Sequence, residues 1–99
     1  MTIFLVGYMG CGKSTLGKKL AYNLKHDFID LDTYIEEQEG RTIKEIFAYD
    51  GEDYFRKLER VYLHRVIDIE NVVISVGGGT PCFFDNMEQM NEYGLTIYI

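Results

Sequence analysis

Short, wholly apolar runs alternate with amphipathic stretches along this chain. Ile3-Phe4-Leu5-Val6 has no polar position, as a strand covered on both faces requires. Val72-Val73-Ile74-Ser75-Val76 and Leu95-Thr96-Ile97-Tyr98-Ile99 read as further strands, and Phe28-Ile29-Asp30-Leu31-Asp32 as a strand that turns polar near its end. Helical spacing fills the intervals. Leu16, Leu20 and Leu24 recur every fourth residue and predict a helix from about Lys13 to Lys25. Tyr34 to Glu39 reads as a short helix closed by Gly40. Thr42-Ile43-Lys44-Glu45 is a capping box that opens another, with Ile43, Ile46 and Phe47 as its apolar face. After the Asp50-Gly51 turn a longer helix spans about Glu52 to Val66, with Phe55, Leu58, Tyr62 and Val66 as its inner stripe. A last helix runs from about Phe84 to Glu92, and Gly94 ends it. Apolar strands separated by helices predict an α/β fold, a parallel sheet with right-handed crossovers and flanking helices. With 99 residues and no linker, repeat or low-complexity stretch, it is one domain, residues 1–99.

The junction of the first strand and first helix carries the sharpest chemical signal. Gly7-Tyr8-Met9-Gly10-Cys11-Gly12-Lys13-Ser14-Thr15 fits the phosphate-binding pattern G-x-x-x-x-G-K-[ST] without a mismatch. Glycines let the backbone approach a ligand closely, successive N–H groups converge on phosphate oxygens, and the helix adds its positive end. Gly10, Cys11, Gly12, Lys13, Ser14 and Thr15 are therefore candidate nucleotide-binding residues. Lys13 would reach the β- and γ-phosphates and the Ser14 hydroxyl would coordinate Mg²⁺. The bland alternative, an ordinary glycine-rich turn, does not need the Lys-Ser pair.

Three further groups stand out. Asp30 and Asp32, two apart on the predicted strand, point to one face, where adjacent carboxylates are costly without a cation or a hydroxyl between them. The alternative is a polar strand exit in which an Asp caps the next helix. Arg56 and Glu59, three apart, share a face of the longer helix. A guanidinium steadied by a carboxylate suits bidentate capture of an anion, but on spacing alone a surface ion pair accounts for them better. Gly77-Gly78-Gly79, straight after a buried strand, suggests a backbone that something must approach closely, where a simple turn needs one glycine or two.

Charge and cysteine content narrow the partners. A net charge of −6 argues against nucleic acid, although Lys13, an arginine and Mg²⁺ can still focus positive potential on a nucleotide. Cys11 and Cys82 form no disulfide framework or metal spacing and fit free thiols of a reducing cytoplasm. No stretch reads as a signal peptide or a membrane span.

Taken together, the phosphate loop, Asp30-Leu31-Asp32, Phe55-Arg56-x-x-Glu59 and Ser75-x-Gly77-Gly78-Gly79, in this order and spacing, resemble shikimate kinases over the whole chain from Met1 to Ile99. The resemblance implies a three-layer P-loop kinase fold and ATP-dependent phosphorylation of the 3-hydroxyl of shikimate, in the route to aromatic amino acids. It implies that Lys13 and Ser14 hold the ATP phosphates and Mg²⁺, with Asp30 helping to hold the metal. Asp32 would bind the ring hydroxyls and take the proton of the attacking one. Arg56 would grip the shikimate carboxylate with Glu59 orienting it, and Gly77, Gly78 and Gly79 would wrap the substrate. Residues 33–66 become the substrate-binding helical segment. The family also continues past the fourth strand with a mobile lid arginine, a second carboxylate-binding arginine, an adenine loop and a fifth strand, so these residues read as the N-terminal portion of a longer, monomeric enzyme. Two rivals are another small-molecule P-loop kinase, such as one similar to gluconate kinase, and a non-catalytic nucleotide-binding module.

Overall fold

The computed structural model describes residues 1–7 and 13–99, and of Lys13 and Ser14 the backbone alone. The apolar runs form strands β1 (Thr2–Gly7), β2 (Asp27–Asp30), β3 (Val72–Gly77) and β4 (Gly94–Tyr98). All pairings are parallel, in the order β2-β3-β1-β4. Parallel pairing demands a crossover between strands, and the amphipathic stretches provide it. They form α1 (Lys13–Leu24), α2 (Leu31–Glu39), α3 (Ile43–Asp50), α4 (Glu52–Val66) and α5 (Asn86–Tyr93), with a 3₁₀ turn at Thr80–Cys82. None of the described helices is long and apolar enough to cross a membrane.

The central strands β1 and β3 are buried on both faces, which is why their sequences do not alternate. One face, through Phe4, Val6, Val72, Ile74 and Val76, packs against Leu31, Ile35, Ile46, Phe55, Leu63 and Met90 from α2 to α5. The other, through Ile3, Leu5 and Val73, meets α1 at Ala21 and Leu20, with Phe28 of β2 beside them. Helices on both sides make the expected three layers.

Local signals set several boundaries. The Thr42–Glu45 capping box forms in both directions, and Gly40 closes α2 in the left-handed conformation at φ 71°. Four expectations change. The second strand stops at Asp30, because the Asp30 side chain caps α2 by accepting from the Asp32 and Thr33 amides at 3.0 and 3.3 Å. Asp32 therefore lies in the first turn of α2 and does not share a strand face with Asp30. α1 ends at Leu24, and Lys25 takes a positive φ. α5 begins two residues later than expected, after the 3₁₀ turn and a positive φ at Phe84. Gly94 both stops α5 and opens β4, where a Cβ would meet the Thr2 carbonyl oxygen at 2.0 Å.

Helix α1 also packs differently from its leucine pattern. Leu16 and Leu24 stay 46% and 43% exposed, while Gly17 and Ala21 lie against the sheet. A Cβ on Gly17 would sit 2.4 Å from the Phe28 ring, so glycine lets this helix approach closely.

Candidate active site

Parallel strands in an open sheet bring their carboxyl ends to one edge, the usual place for a ligand in α/β proteins. Here that edge gathers the end of β1 at Gly7, the end of β2 at Asp30 and the end of β3 at Gly77. Gly7 and Gly77 are register partners, so the phosphate-loop sequence and the triple glycine leave the sheet side by side. Gly10, Cys11 and Gly12 lie outside the described residues, as do the Lys13 and Ser14 side chains. The backbone places Lys13 as the first residue of α1 and Ser14 as the second, so the positive end of that helix faces the same edge. Thr15 is exposed in its first turn.

Helix α4 supplies the cationic side of the site. Its strongly apolar stripe contains a carboxylate: Glu59 is 1% exposed, in line with Phe55, Tyr62, Leu63 and Val66. A buried carboxylate must be paired or hydrogen-bonded. Arg56 Nη1 donates to both Glu59 oxygens at 3.1 and 3.3 Å, and the Thr80 hydroxyl donates to Oε2 at 2.7 Å. Asp32 lies near enough for its charge to act on Glu59. Burial pushes the Glu59 carboxyl above the usual range, the Thr80 hydroxyl and Arg56 pull it down, and Asp32 pushes it up.

Arg56 is not a surface ion pair. Its side chain is 18% exposed, and its guanidinium carbon lies 4.2 Å from the centre of the Phe83 ring and 5.3 Å from that of Phe55. A Cβ on Gly79 would come within 2.9 Å of Nη2 and 3.3 Å of Nη1. The last glycine of the bend thus makes room for the guanidinium. Its φ of −86° is an ordinary value, so lack of bulk, not backbone freedom, is what Gly79 contributes. Only Nη1 is hydrogen-bonded within the described residues, and Nε is buried without a partner. Asp32, Arg56, Glu59 and Gly79, the last glycine of the bend, therefore lie in one neighbourhood.

Three members of this cluster escaped sequence reasoning: Thr80, Phe83 and Asn86. The signal that could have found Thr80 is Glu59 itself, four residues after Phe55 on the buried stripe. A carboxylate there needs a second donor besides its arginine. Phe83 and Asn86 left no pattern, because their contacts depend on how the chain turns after the bend.

A parallel sheet with a phosphate-loop sequence after its first strand, and a buried arginine–carboxylate pair beside a glycine bend, places the chain in the class of P-loop α/β folds. The family model for shikimate kinase matches residues 9–99. The chain belongs to the shikimate kinase family. It is 57% identical to a shikimate kinase of Phocaeicola vulgatus over 97 residues, which are 98% of this chain and 55% of that protein. The crystal structure of shikimate kinase from Bacteroides thetaiotaomicron superposes with a TM-score of 0.96 at 57% identity, covering 100% of this chain and 56% of the other. The solved structure of the Acinetobacter baumannii shikimate kinase in complex with shikimate gives 0.94 at 39% identity, covering 98% of this chain and 54% of the other. The chain spans about half the length of the curated relatives it matches.

Proposed function

We propose that the protein is a shikimate kinase, transferring the γ-phosphoryl group of ATP to the 3-hydroxyl of shikimate to give shikimate 3-phosphate. The observation that carries this reading is the held but unsaturated guanidinium of Arg56. Its Nη1 is tied to Glu59, its face lies on Phe83, and its Nη2 has no partner within the described residues. Such a group suits a carboxylate on the acceptor, and shikimate carries one.

The other residues follow from their places at the sheet edge. Gly10, Cys11, Gly12, Lys13, Ser14 and Thr15 bind the ATP phosphates through the loop and the start of α1. Asp32, at the first turn of α2, hydrogen-bonds the ring hydroxyls and accepts the proton of the attacking one, although a loose transition state needs little help from a base. Arg56 grips the carboxylate, Glu59 orients Arg56, and Gly77, Gly78 and Gly79 let the backbone close on the ring. Residues 33–66 form the substrate-binding helical segment. Ser14 and Asp30 would hold Mg²⁺, which neutralises charge on the phosphates when bound. One carboxylate and one hydroxyl suit an ion that keeps several waters and is shared with phosphates. Catalysis on this reading is chiefly alignment and charge neutralisation, with Lys13 stabilising the transferring group. The enzyme acts as a cytoplasmic monomer.

The test is a phosphorylation assay with shikimate, gluconate and nucleoside monophosphates offered separately. Shikimate-dependent ADP formation is expected, and Lys13→Ala should abolish nucleotide use. Turnover of gluconate with shikimate ignored would overturn the assignment, and ATP binding without any turnover would leave a nucleotide-binding module.

A further inference from the structure

The Arg56–Glu59 pair is held from outside α4, by the segment that follows the glycine bend. The Thr80 hydroxyl makes the shortest contact to Glu59, 2.7 Å, in the range of charge-assisted O–H···O bonds. Thr80 is itself fully buried, and its carbonyl accepts from Asn86 Nδ2 at 3.0 Å, Asn86 being the equally buried first residue of α5. The hydroxyl therefore sits at a fixed place. With Arg56 alone as donor, the Glu59 carboxylate would be free to rotate about its own axis. The second donor fixes its plane, and the guanidinium edge follows. Phe83, three residues on, covers the guanidinium face at 4.2 Å. One edge and one face determine a plane.

We propose that residues 80–86 form a positioning clamp that presets the plane of Arg56, with Thr80 acting through Glu59 and Phe83 acting on the guanidinium directly. This rests on the reading of Arg56 as the grip on the acceptor's carboxylate. Bidentate capture depends on orientation as well as charge, and sites of this kind work only within about 10–20° of the productive geometry. The clamp makes Thr80 and Phe83 determinants of acceptor affinity, although neither need touch the acceptor. It also couples the glycine bend to the arginine, because Thr80 directly follows Gly79.

The experiment uses the natural protein with Thr80→Val, Thr80→Ser and Phe83→Leu, alone and on an Arg56→Ala background. T80V should raise the shikimate KM about tenfold, the usual effect of losing a hydrogen bond to a charged group, while the ATP KM stays unchanged. T80S keeps the hydroxyl and should restore the KM to within about twofold of wild type. F83L should raise it about threefold. On the R56A background both effects should vanish, since positioning residues have nothing left to position. A T80V effect that persists undiminished without Arg56, or that raises the ATP KM equally, overturns the clamp. Should T80V fail to fold, T80A and F83L carry the same test. If the wild-type protein ignores shikimate, the functional reading falls and the clamp is judged separately by the Arg56 Nε–Hε NMR signal without ligand. That signal should shift or broaden in T80V and be retained in T80S, and an unaltered signal in T80V rejects the clamp.

Discussion

The two faces of the sheet are built to different depths. The face turned toward α2–α5 holds a continuous core from Phe4 and Ile74 through Leu31, Ile35 and Ile46 to Leu63 and Met90, all fully buried. The face turned toward α1 has a smaller apolar cluster among the described residues, Ile3, Leu5, Ala21 and Val73, with Leu20 and Phe28 at its margin. Leu95 and Ile97 of β4 are register partners of Ile3 and Leu5, so they extend this thinner face, yet they are 50% and 37% exposed. Glu59, Arg56 and Thr80 belong to the deep side. A charged pair can be held in a fixed geometry only where neighbours on several elements restrict it, and the deep side provides α4, the 3₁₀ turn and α5 for that purpose. Polar groups demanding a defined orientation and the thickest packing thus coincide.

The largest effect should come from opening the deep face. Leu63→Ala is expected to lower stability by about 2–5 kcal/mol in chemical denaturation, the range for a buried leucine that leaves a cavity. A cost under about 1 kcal/mol would show that the two faces do not differ as described. Gly94→Ala should cost about 1–3 kcal/mol or more, because its Cβ would strike the Thr2 backbone, which cannot move without breaking the β1–β4 pairing. Gly17→Ala presses chiefly on the partly exposed Phe28 ring, which can turn aside, and less closely on Leu5 Cδ1 at 3.2 Å, with no backbone in the way, so it should cost less than G94A. The reverse order would mean that β4 is the more yielding contact.

Arg56→Ala should weaken shikimate use by about 1.5–3 kcal/mol in kcat/KM, with ATP binding little changed. Unchanged shikimate kinetics would remove Arg56 from the site. Glu59 gives a pH signature. Its raised carboxyl favours the folded state when protonated, so this contribution is fully present below the ordinary glutamate value and lost as pH rises through the raised one. For binding, the sign is opposite. As pH falls through the raised value, Glu59 loses its charge and its hold on Arg56, so the shikimate KM should climb at a pH where an exposed glutamate is still ionised. The groups facing Glu59 are Arg56 on its own helix, Thr80 from the 3₁₀ turn and Asp32 from α2. Glu59→Gln should remove this acidic limb from a KM–pH profile, and a limb that survives in E59Q would assign it to another group. Smallest of all, Leu16→Ala on the thin face should change stability by no more than about 0.5 kcal/mol.

Much of this was legible from residue order, but unevenly. The strands at β1 and β3 follow from runs with no polar alternation, and the capping box at Thr42–Glu45 fixed the start of α3 because both halves of the signal lie within four residues. Where a residue served two local purposes, the boundary moved. Asp30 was read as a strand residue, with an Asp cap on the next helix as the alternative, and it is both, which draws Asp32 into the helix. Gly94 was read as a stop and is also the point where two backbones touch. The leucine period in α1 was genuine, yet it did not reveal that Gly17 and Ala21, the small residues, would lie closest to the sheet. In the site, Arg56 and Glu59 were named from the family pattern, since spacing alone favoured a surface pair. Their burial follows from Phe83 and Thr80, more than twenty residues downstream, which no local pattern connects to α4.

The pairing of Gly7 with Gly77 sets a distance that no side chain has to maintain. The phosphate-loop sequence and the glycine bend leave the sheet from one rung of the ladder, separated by the spacing of adjacent strands, about 4.8 Å. If donor and acceptor groups are held just beyond those two strand ends, their separation is calibrated by main-chain hydrogen bonds in the most buried part of the sheet. A slip of one residue between β1 and β3 would carry one strand end about 3.3 Å past the other, enough to abolish in-line alignment while every side chain kept its identity.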